Sequence, residues 1–375
     1  MMYFDFAATT PMAASVKKAM EPYLTDCFYN ASSLYRGGRT AAEAVSHARE
    51  QVAALVCAEP EQVIFTSGGT EADNMAVLCG ALAGKKQGRS RVVVSAIEHH
   101  AVLSSAEYLE ELGFSLTVLP VDAWGRVDAR ALERVMDDRV ALVSVMWVNN
   151  ELGTVQDVPA LAEVAHRYGA LFHTDAVQAV GTQEICFAQC GADLMSISAH
   201  KIYGPKGCGA LITRSGLRLP PLIHGGQQES GRRGGTENVG AIVGFGAAAA
   251  ALRESRGGDV SQMRRLRELL LELLRDEGIR INSPADGAPS ILNVAFRDVE
   301  AEGMLFYLGM EDICVSMGSA CNSQSVEPSH VIQAIRVPPE YARGCIRISL
   351  GHGVTEENCR ALAHRLMELA QQLRY

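Results

Sequence analysis

Between about residues 45 and 215, short runs of β-branched residues alternate with stretches whose apolar positions recur at helical spacing. That alternation predicts a sheet built largely of parallel strands, each returned by a crossover helix. Strands are expected at Val63–Thr66, Arg91–Ala96, Leu116–Pro120, Val140–Val145, Leu171–Thr174, Leu194–Ser198 and Gly209–Thr213, with helices at Glu71–Ala83, His100–Leu112, Ala129–Met136 and Pro159–Tyr168. Further on, the small apolar stretch Gly240–Leu252 reads as a packed helix. The amphipathic stretch Gln262–Glu277 reads as the start of a different unit, with strands near Ile291–Phe296 and Cys345–Leu350 and a closing helix Glu356–Arg374. The polar, glycine-containing run RESRGGD (253–259) sets the expected boundary near residue 255.

Length agrees with two units, because 375 residues exceed what one hydrophobic core usually serves. The reading is therefore an α/β large domain over 11–255, and a smaller α+β domain made of 1–10 and 256–375. With 48% hydrophobic and 21% charged residues the chain has the composition of a folded globular protein. Its net charge of −9 argues against direct binding of a nucleic-acid backbone. The first 25 residues show no basic start followed by an apolar run, and Gly240–Leu252 is too short to span a bilayer, so a cytoplasmic protein without membrane contact is expected. Ten scattered cysteines lack the spacing of a disulfide framework. Cys186 and Cys190 have helix-neighbour spacing but no second Cys/His pair to complete a zinc site, so no metal is expected.

In an open α/β sheet, ligands sit beyond the carboxyl ends of the strands. Five such places carry polar residues here. Ser67-Gly68-Gly69-Thr70 leads from a strand into a helix, which offers free N–H groups to a phosphate, although an ordinary glycine turn with a Thr cap has the same residues. Glu98-His99-His100 puts an imidazole where a flat ring can cover an aromatic cofactor, with His100 at the helix start as a solvated or capping residue. Asn149 and Asn150 supply amides that can bond a carboxylate or merely shape a turn. Asp175, with Gln178 three residues on, is a carboxylate suited to a protonated pyridine nitrogen. Ser198-Ala199-His200-Lys201 ends on an amine that can form a Schiff base if its neighbours lower its pKa. Phosphate cradle, ring cover, acid and amine together compose a pyridoxal 5'-phosphate site.

The residues FDFAATTP (4–11), FTSGGTEADN (65–74), EHHAVL (98–103), VNNELGTVQD (148–157), HTDAVQAVG (173–181), SAHKIYGPKGCGAL (198–211), RRGGTEN (232–238), GSACNS (318–323), EPSHV (327–331) and IRISLG (346–351) resemble those of cysteine desulfurases of the NifS/IscS type. These belong to the fold-type I, class V aminotransferase-like pyridoxal-phosphate enzymes, and the resemblance runs nearly end to end. It implies that Lys201 is the Schiff-base lysine, that Asp175 bonds the pyridine nitrogen and that His99 stacks on the ring, where His99 is also the candidate for shuttling a proton. Gln178 would contact the ring hydroxyl. Gly69, Thr70, Ser198 and His200 would hold the phosphate, joined by Thr236 from the neighbouring subunit of a homodimer. Asn150 and Arg347 would grip the carboxylate of L-cysteine, Arg347 through a bidentate fork.

Cys321 matches the catalytic cysteine that takes the sulfur as a persulfide, on a small, polar loop over about 316–330, for delivery to an acceptor such as an iron–sulfur scaffold protein. Two stretches depart from the pattern: Asn30-Ala31-Ser32-Ser33-Leu34-Tyr35 lacks its proline and histidine, and Gly225-Gly226-Gln227 is one glycine short. The expected activity is conversion of L-cysteine to L-alanine with transfer of sulfur to Cys321. Competing readings are a selenocysteine lyase, an ordinary aminotransferase, and a non-catalytic sulfur-transfer partner with the same fold.

Overall fold

The computed structural model describes residues 1–318 and 327–374. Strands β1 (Met2–Tyr3), β2 (Val63–Thr66), β3 (Arg91–Ser95), β4 (Ser115–Leu119), β5 (Val140–Ser144), β6 (Leu171–Asp175), β7 (Leu194–Ser198) and β8 (Gly209–Thr213) are followed by β9 (Ile279–Ile281), β10 (Ile291–Phe296), β11 (Ile313–Cys314) and β12 (Cys345–Ser349). Seven of them form one sheet in the order β2-β8-β7-β6-β5-β3-β4. β8 runs antiparallel to both β2 and β7, while the remaining neighbours pair in parallel. Strands β2 to β7 therefore point the same way, and their carboxyl ends share one edge. Helices on both faces bury β5, β7 and β8 completely, which is why these strands read as near-continuous apolar runs rather than alternating ones.

Apolar residues gather into separate clusters. One, on Val45, Val52, Phe172, Phe245 and Leu252, packs the helices Arg36–Leu55 and Val239–Leu273 against the large sheet. Another joins Phe4 and Phe6 to Met263, Leu266, Leu270, Phe296 and Leu366 around the antiparallel sheet β12-β10-β9. The first residues of the chain thus complete the core of the C-terminal part.

One expectation is corrected. Gly240–Leu252 and Gln262–Glu277 are not separate elements: a single helix runs from Val239 to Leu273 straight through the run 253–259. Polar side chains and glycines read as a break in sequence. Here the run bridges two cores, Leu252 belonging to one and Met263 to the other. A helix polar all round is tolerated when both of its ends are packed: Arg253, Glu254, Gly257 and Gly258 are exposed, while Ser255, Arg256 and Asp259 are half-buried and Asp259 pairs with His352 at 2.9 Å. Gly257 and Gly258 meet nothing within 4 Å, so no packing contact is lost there.

Candidate active site

The turns after β2, β3, β5, β6 and β7 converge on one cleft with about 790 Å³ of empty space. It is lined by Gly69, Thr70, His99, Asn150, Asp175, Gln178, Ser198, His200, Lys201 and Arg347. Ten residues singled out from sequence are therefore brought together. Thr236 is not among them: it is exposed and lines a separate hollow beside Arg233 and Gly235. Cys321 lies outside the described residues.

Lys201 ends the short turn Ala199–Lys201 that follows β7. Its ammonium donates to the Ala8 carbonyl at 2.9 Å and also to that of Ala7. Gln178 Nε2 donates to the same Ala7 carbonyl at 2.8 Å. The N-terminal segment thus forms one wall of the cleft. Asp175, buried at the end of β6, accepts from the Val177 N–H at 2.9 Å, and burial pushes its carboxyl up to about 6 despite the nearby Lys201 charge.

His99, rather than His100, caps the helix His100–Glu111: its Nδ1 accepts from the Ala101 N–H at 3.1 Å. With Nδ1 an acceptor, the ring proton of neutral His99 sits on Nε2. Burial, reinforced by Lys201, holds the imidazole down at about 4, so it is neutral at ordinary pH. His200 is likewise pushed down to about 4, chiefly by burial, and its Nδ1 shares a hydrogen bond with the Thr9 hydroxyl at 3.2 Å.

Arg347, on β12, is 1% exposed. One of its terminal nitrogens donates to Asp5 Oδ1 at 2.8 Å and the other to the Asn150 carbonyl at 3.0 Å, while Nε has no partner. A guanidinium fixed on two sides with a donor to spare is a ready carboxylate site.

These residues fit pyridoxal phosphate. The Ser198 hydroxyl is buried with no hydrogen-bond partner, a costly arrangement that an anionic oxygen would relieve. Gly68, at φ +157°, turns the chain into the helix beginning at Gly69, whose leading N–H groups supply further donors. Across the cleft, the carboxylate of Asp175 matches a protonated ring nitrogen.

The sequence model of the aminotransferase class-V family matches residues 2–362. The chain belongs to this family. Its class-V relatives include a cysteine desulfurase IscS of Dictyoglomus turgidum, 42% identical over all of this chain and 95% of that protein. A cysteine desulfurase of Cereibacter sphaeroides is 46% identical over all of this chain and 96% of its own length. Among solved structures, a NifS-like protein superposes with a TM-score of 0.93 at 34% identity, over 99% of this chain and 100% of that one. A structure described as SspA in complex with cysteine gives 0.84 at 35% identity, over 94% and 99%. The cofactor of this class-V chain is pyridoxal phosphate.

Several neighbours of the site escaped sequence reasoning. Asp5 sits 342 positions from Arg347, a separation no local pattern bridges. Asp73 and Glu98 lie within motifs quoted above, yet nothing in their spacing marks them as buried acids. Buried Glu151 accepts from the Ser329 hydroxyl at 2.6 Å, and His330 bonds the Glu98 carbonyl at 2.9 Å, fixing the segment that follows the undescribed residues.

Proposed function

We propose that the chain is a pyridoxal-phosphate-dependent cysteine desulfurase that converts L-cysteine to L-alanine and passes the sulfur to Cys321 as a persulfide. The observation carrying this reading is the convergence of Lys201, Asp175 and Arg347 on one cleft. They provide an amine, a buried acid and a carboxylate fork. The desulfurases at 42% and 46% identity support the same substrate.

Bound in the cleft, pyridoxal phosphate supplies an electron sink for a substrate carbanion. Ser198, His200, Thr70 and the N–H groups after Gly68 hold its phosphate, and Thr236 of a second subunit adds a hydroxyl. Asp175 keeps a proton on the ring nitrogen, and His99 covers the ring. Arg347 and Asn150 orient the substrate carboxylate, so that the Lys201 amine can take the α-proton and return it on the product side. The Cys321 thiolate attacks the substrate sulfur, leaving the carbon–sulfur electron pair with carbon. His99, with its proton on Nε2, delivers a proton during these steps.

The enzyme acts as a cytoplasmic homodimer and hands its sulfur to an acceptor protein such as an iron–sulfur scaffold. Residues 11–255 form its cofactor-binding domain. Residues 1–10 with 256–375 form a smaller domain bearing the loop of Cys321.

Mass spectrometry after exposure to cysteine tests the reading. One added sulfur is expected on Cys321 and none in Cys321→Ala. Alanine formation that continues in Cys321→Ala would sink it. Lys201→Ala should lose the cofactor absorption band of the wild type, and a band that persists would remove Lys201 from its role. Comparing turnover of cysteine with selenocysteine separates a lyase for the latter.

A further inference from the structure

The loop that carries Thr236 is fastened to the strand and turn behind its own subunit's phosphate cradle. β2 is an edge strand of the large sheet, so one side of its backbone has no neighbouring strand. Side chains take that place. Glu229, buried, accepts the Phe65 N–H through Oε2 at 3.0 Å, and each of its oxygens takes an Arg49 donor at 2.7 Å. The Val63 carbonyl accepts from Arg49 at 2.9 Å and from Arg232 at 3.2 Å.

A second clamp sits at the phosphate turn itself. Glu71, in the first turn of the helix beginning at Gly69, accepts the Ser67 N–H through Oε2 at 2.8 Å. The same carboxylate is gripped from the loop by Arg233, whose Nε donates to Oε1 at 2.9 Å and whose terminal nitrogen donates to Oε2 at 3.2 Å. A planar fork on a carboxylate fixes direction as well as distance. The base of the loop is closed too: the Gly234 N–H donates to the Ile223 carbonyl at 2.9 Å, and a Cβ on Gly234 would stand 2.7 Å from the Gly225 backbone. Between these points Glu229 and Ser230 hold φ of 49° and 58°, a left-handed backbone that non-glycine residues keep only where their surroundings impose it. Thr236 follows this fastened stretch and emerges exposed, outside its own subunit's cleft.

We propose that Arg233 is a positioning residue for the cofactor of the other subunit: held by Glu71, it fixes where Thr236 delivers its hydroxyl across the dimer. This rests on the homodimer and the role of Thr236 given under the proposed function. The Glu71 carboxylate then serves two sites at once. Through Ser67 it shapes the phosphate turn of its own subunit, and through Arg233 it sets the threonine that its neighbour's cofactor meets. Two-fold symmetry makes the arrangement reciprocal, each subunit giving what it receives. Without the Arg233 fork the loop must be ordered when the phosphate binds, and that cost is taken from affinity. An Arg233 that only steadied its own turn would act on its own subunit's cofactor alone, so the two roles differ in which site changes.

Heterodimers with one live site separate these roles. Each pairs a subunit carrying Lys201→Ala, which cannot form the Schiff base, with a subunit whose Lys201 is intact, so the cofactor absorption band reports the live site alone. Retention of pyridoxal phosphate is read from that band during dialysis. Arg233→Met in the Lys201→Ala subunit should weaken the live site about 5-fold, the worth of one hydrogen bond. Glu71→Gln in the same place should act in the same direction, although its amide oxygen still accepts the Ser67 N–H, and it serves if Arg233→Met does not fold. A live site left unchanged by a folded variant of either kind in its partner overturns the proposal. Thr236→Ala in the Lys201→Ala subunit tells two failures apart. If it weakens the live site while the other variants do not, only the role of Arg233 falls; if it too has no effect, the role of Thr236 falls with it. Arg233→Met added to Thr236→Ala should cost nothing further, since Arg233 acts through that hydroxyl; an additive loss overturns the proposal as well.

Discussion

Arg347 is held by an acid that the substrate must reckon with. Asp5 neutralises part of the guanidinium on which a substrate carboxylate would dock, and it also keeps a nearly fully buried cation paired. Asp5→Asn preserves an accepting oxygen but removes the charge, so the fork should attract the carboxylate more strongly. The expected outcome is a KM for cysteine lowered about 5-fold, roughly 1 kcal/mol, with kcat little changed, read from steady-state kinetics. Asp5→Ala takes away the acceptor as well, and leaving a buried charge with one partner fewer should cost about 3 kcal/mol of stability in denaturant melts. At this scale, sequence reasoning found ten residues that line the cleft and missed those that touch it only through another side chain. Lys201 and Asp175 announce themselves at strand ends. Asp5 acquires its meaning only from a side chain 342 residues away, and Asp73 only from its burial.

The turn between β2 and the helix beginning at Gly69 depends on a strand that does not otherwise enter the site. Gly209 opens β8, and a Cβ there would sit 2.6 Å from the Gly68 carbonyl carbon and 2.8 Å from the Ile197 carbonyl oxygen. Both neighbours are backbone and cannot swing aside. Gly209→Ala should therefore push the phosphate turn outward, costing about 1–3 kcal/mol of stability and weakening cofactor retention on dialysis. A variant that keeps both its melting temperature and its cofactor would show that the turn has room to give. The same helix carries a π-turn at Met75–Cys79, within the stretch expected as an unbroken α-helix from Glu71. The nine strands expected from sequence were placed to within a residue at each end, whereas β1, β9 and β11, two or three residues long and only partly buried, left no run to read. The π-turn was not, because Met75-Ala76-Val77-Leu78-Cys79 suits either helical form. Nor was the continuity of Val239–Leu273, since glycine and polar residues mark loops and solvated helices alike.

Buried acids give the whole molecule a distinctive response to pH. Burial raises Glu98 from its ordinary 4.5 to about 8, and Asp73 shifts in the same direction. The folded state therefore holds protons that the unfolded chain has already released. The histidines that the fold holds down, His99, His100, His173, His200 and His330, pull the opposite way while the unfolded chain still protonates them, an effect that fades about one pH unit above their ordinary 6.5. Between about 7.5 and 8, the cofactor-free protein should therefore lose stability through Glu98, by at most about 1.4 kcal/mol per pH unit. Glu98→Gln should flatten the decline in thermal melts, whereas a stability that climbs over this window would contradict the placement of the acid. The two hydrophobic clusters respond together because one helix is anchored in both. Over 35 residues that helix extends about 52 Å, and each residue turns it by about 100°. One alanine inserted at Gly257–Gly258 would swing Met263, Leu266 and Leu270 a quarter-turn away from Phe4 and Phe296, while seven would restore their facing and only lengthen the span by about 10 Å. What passes between the two cores is thus an angle more than a distance, and insertions in this stretch should be tolerated by phase, not by size.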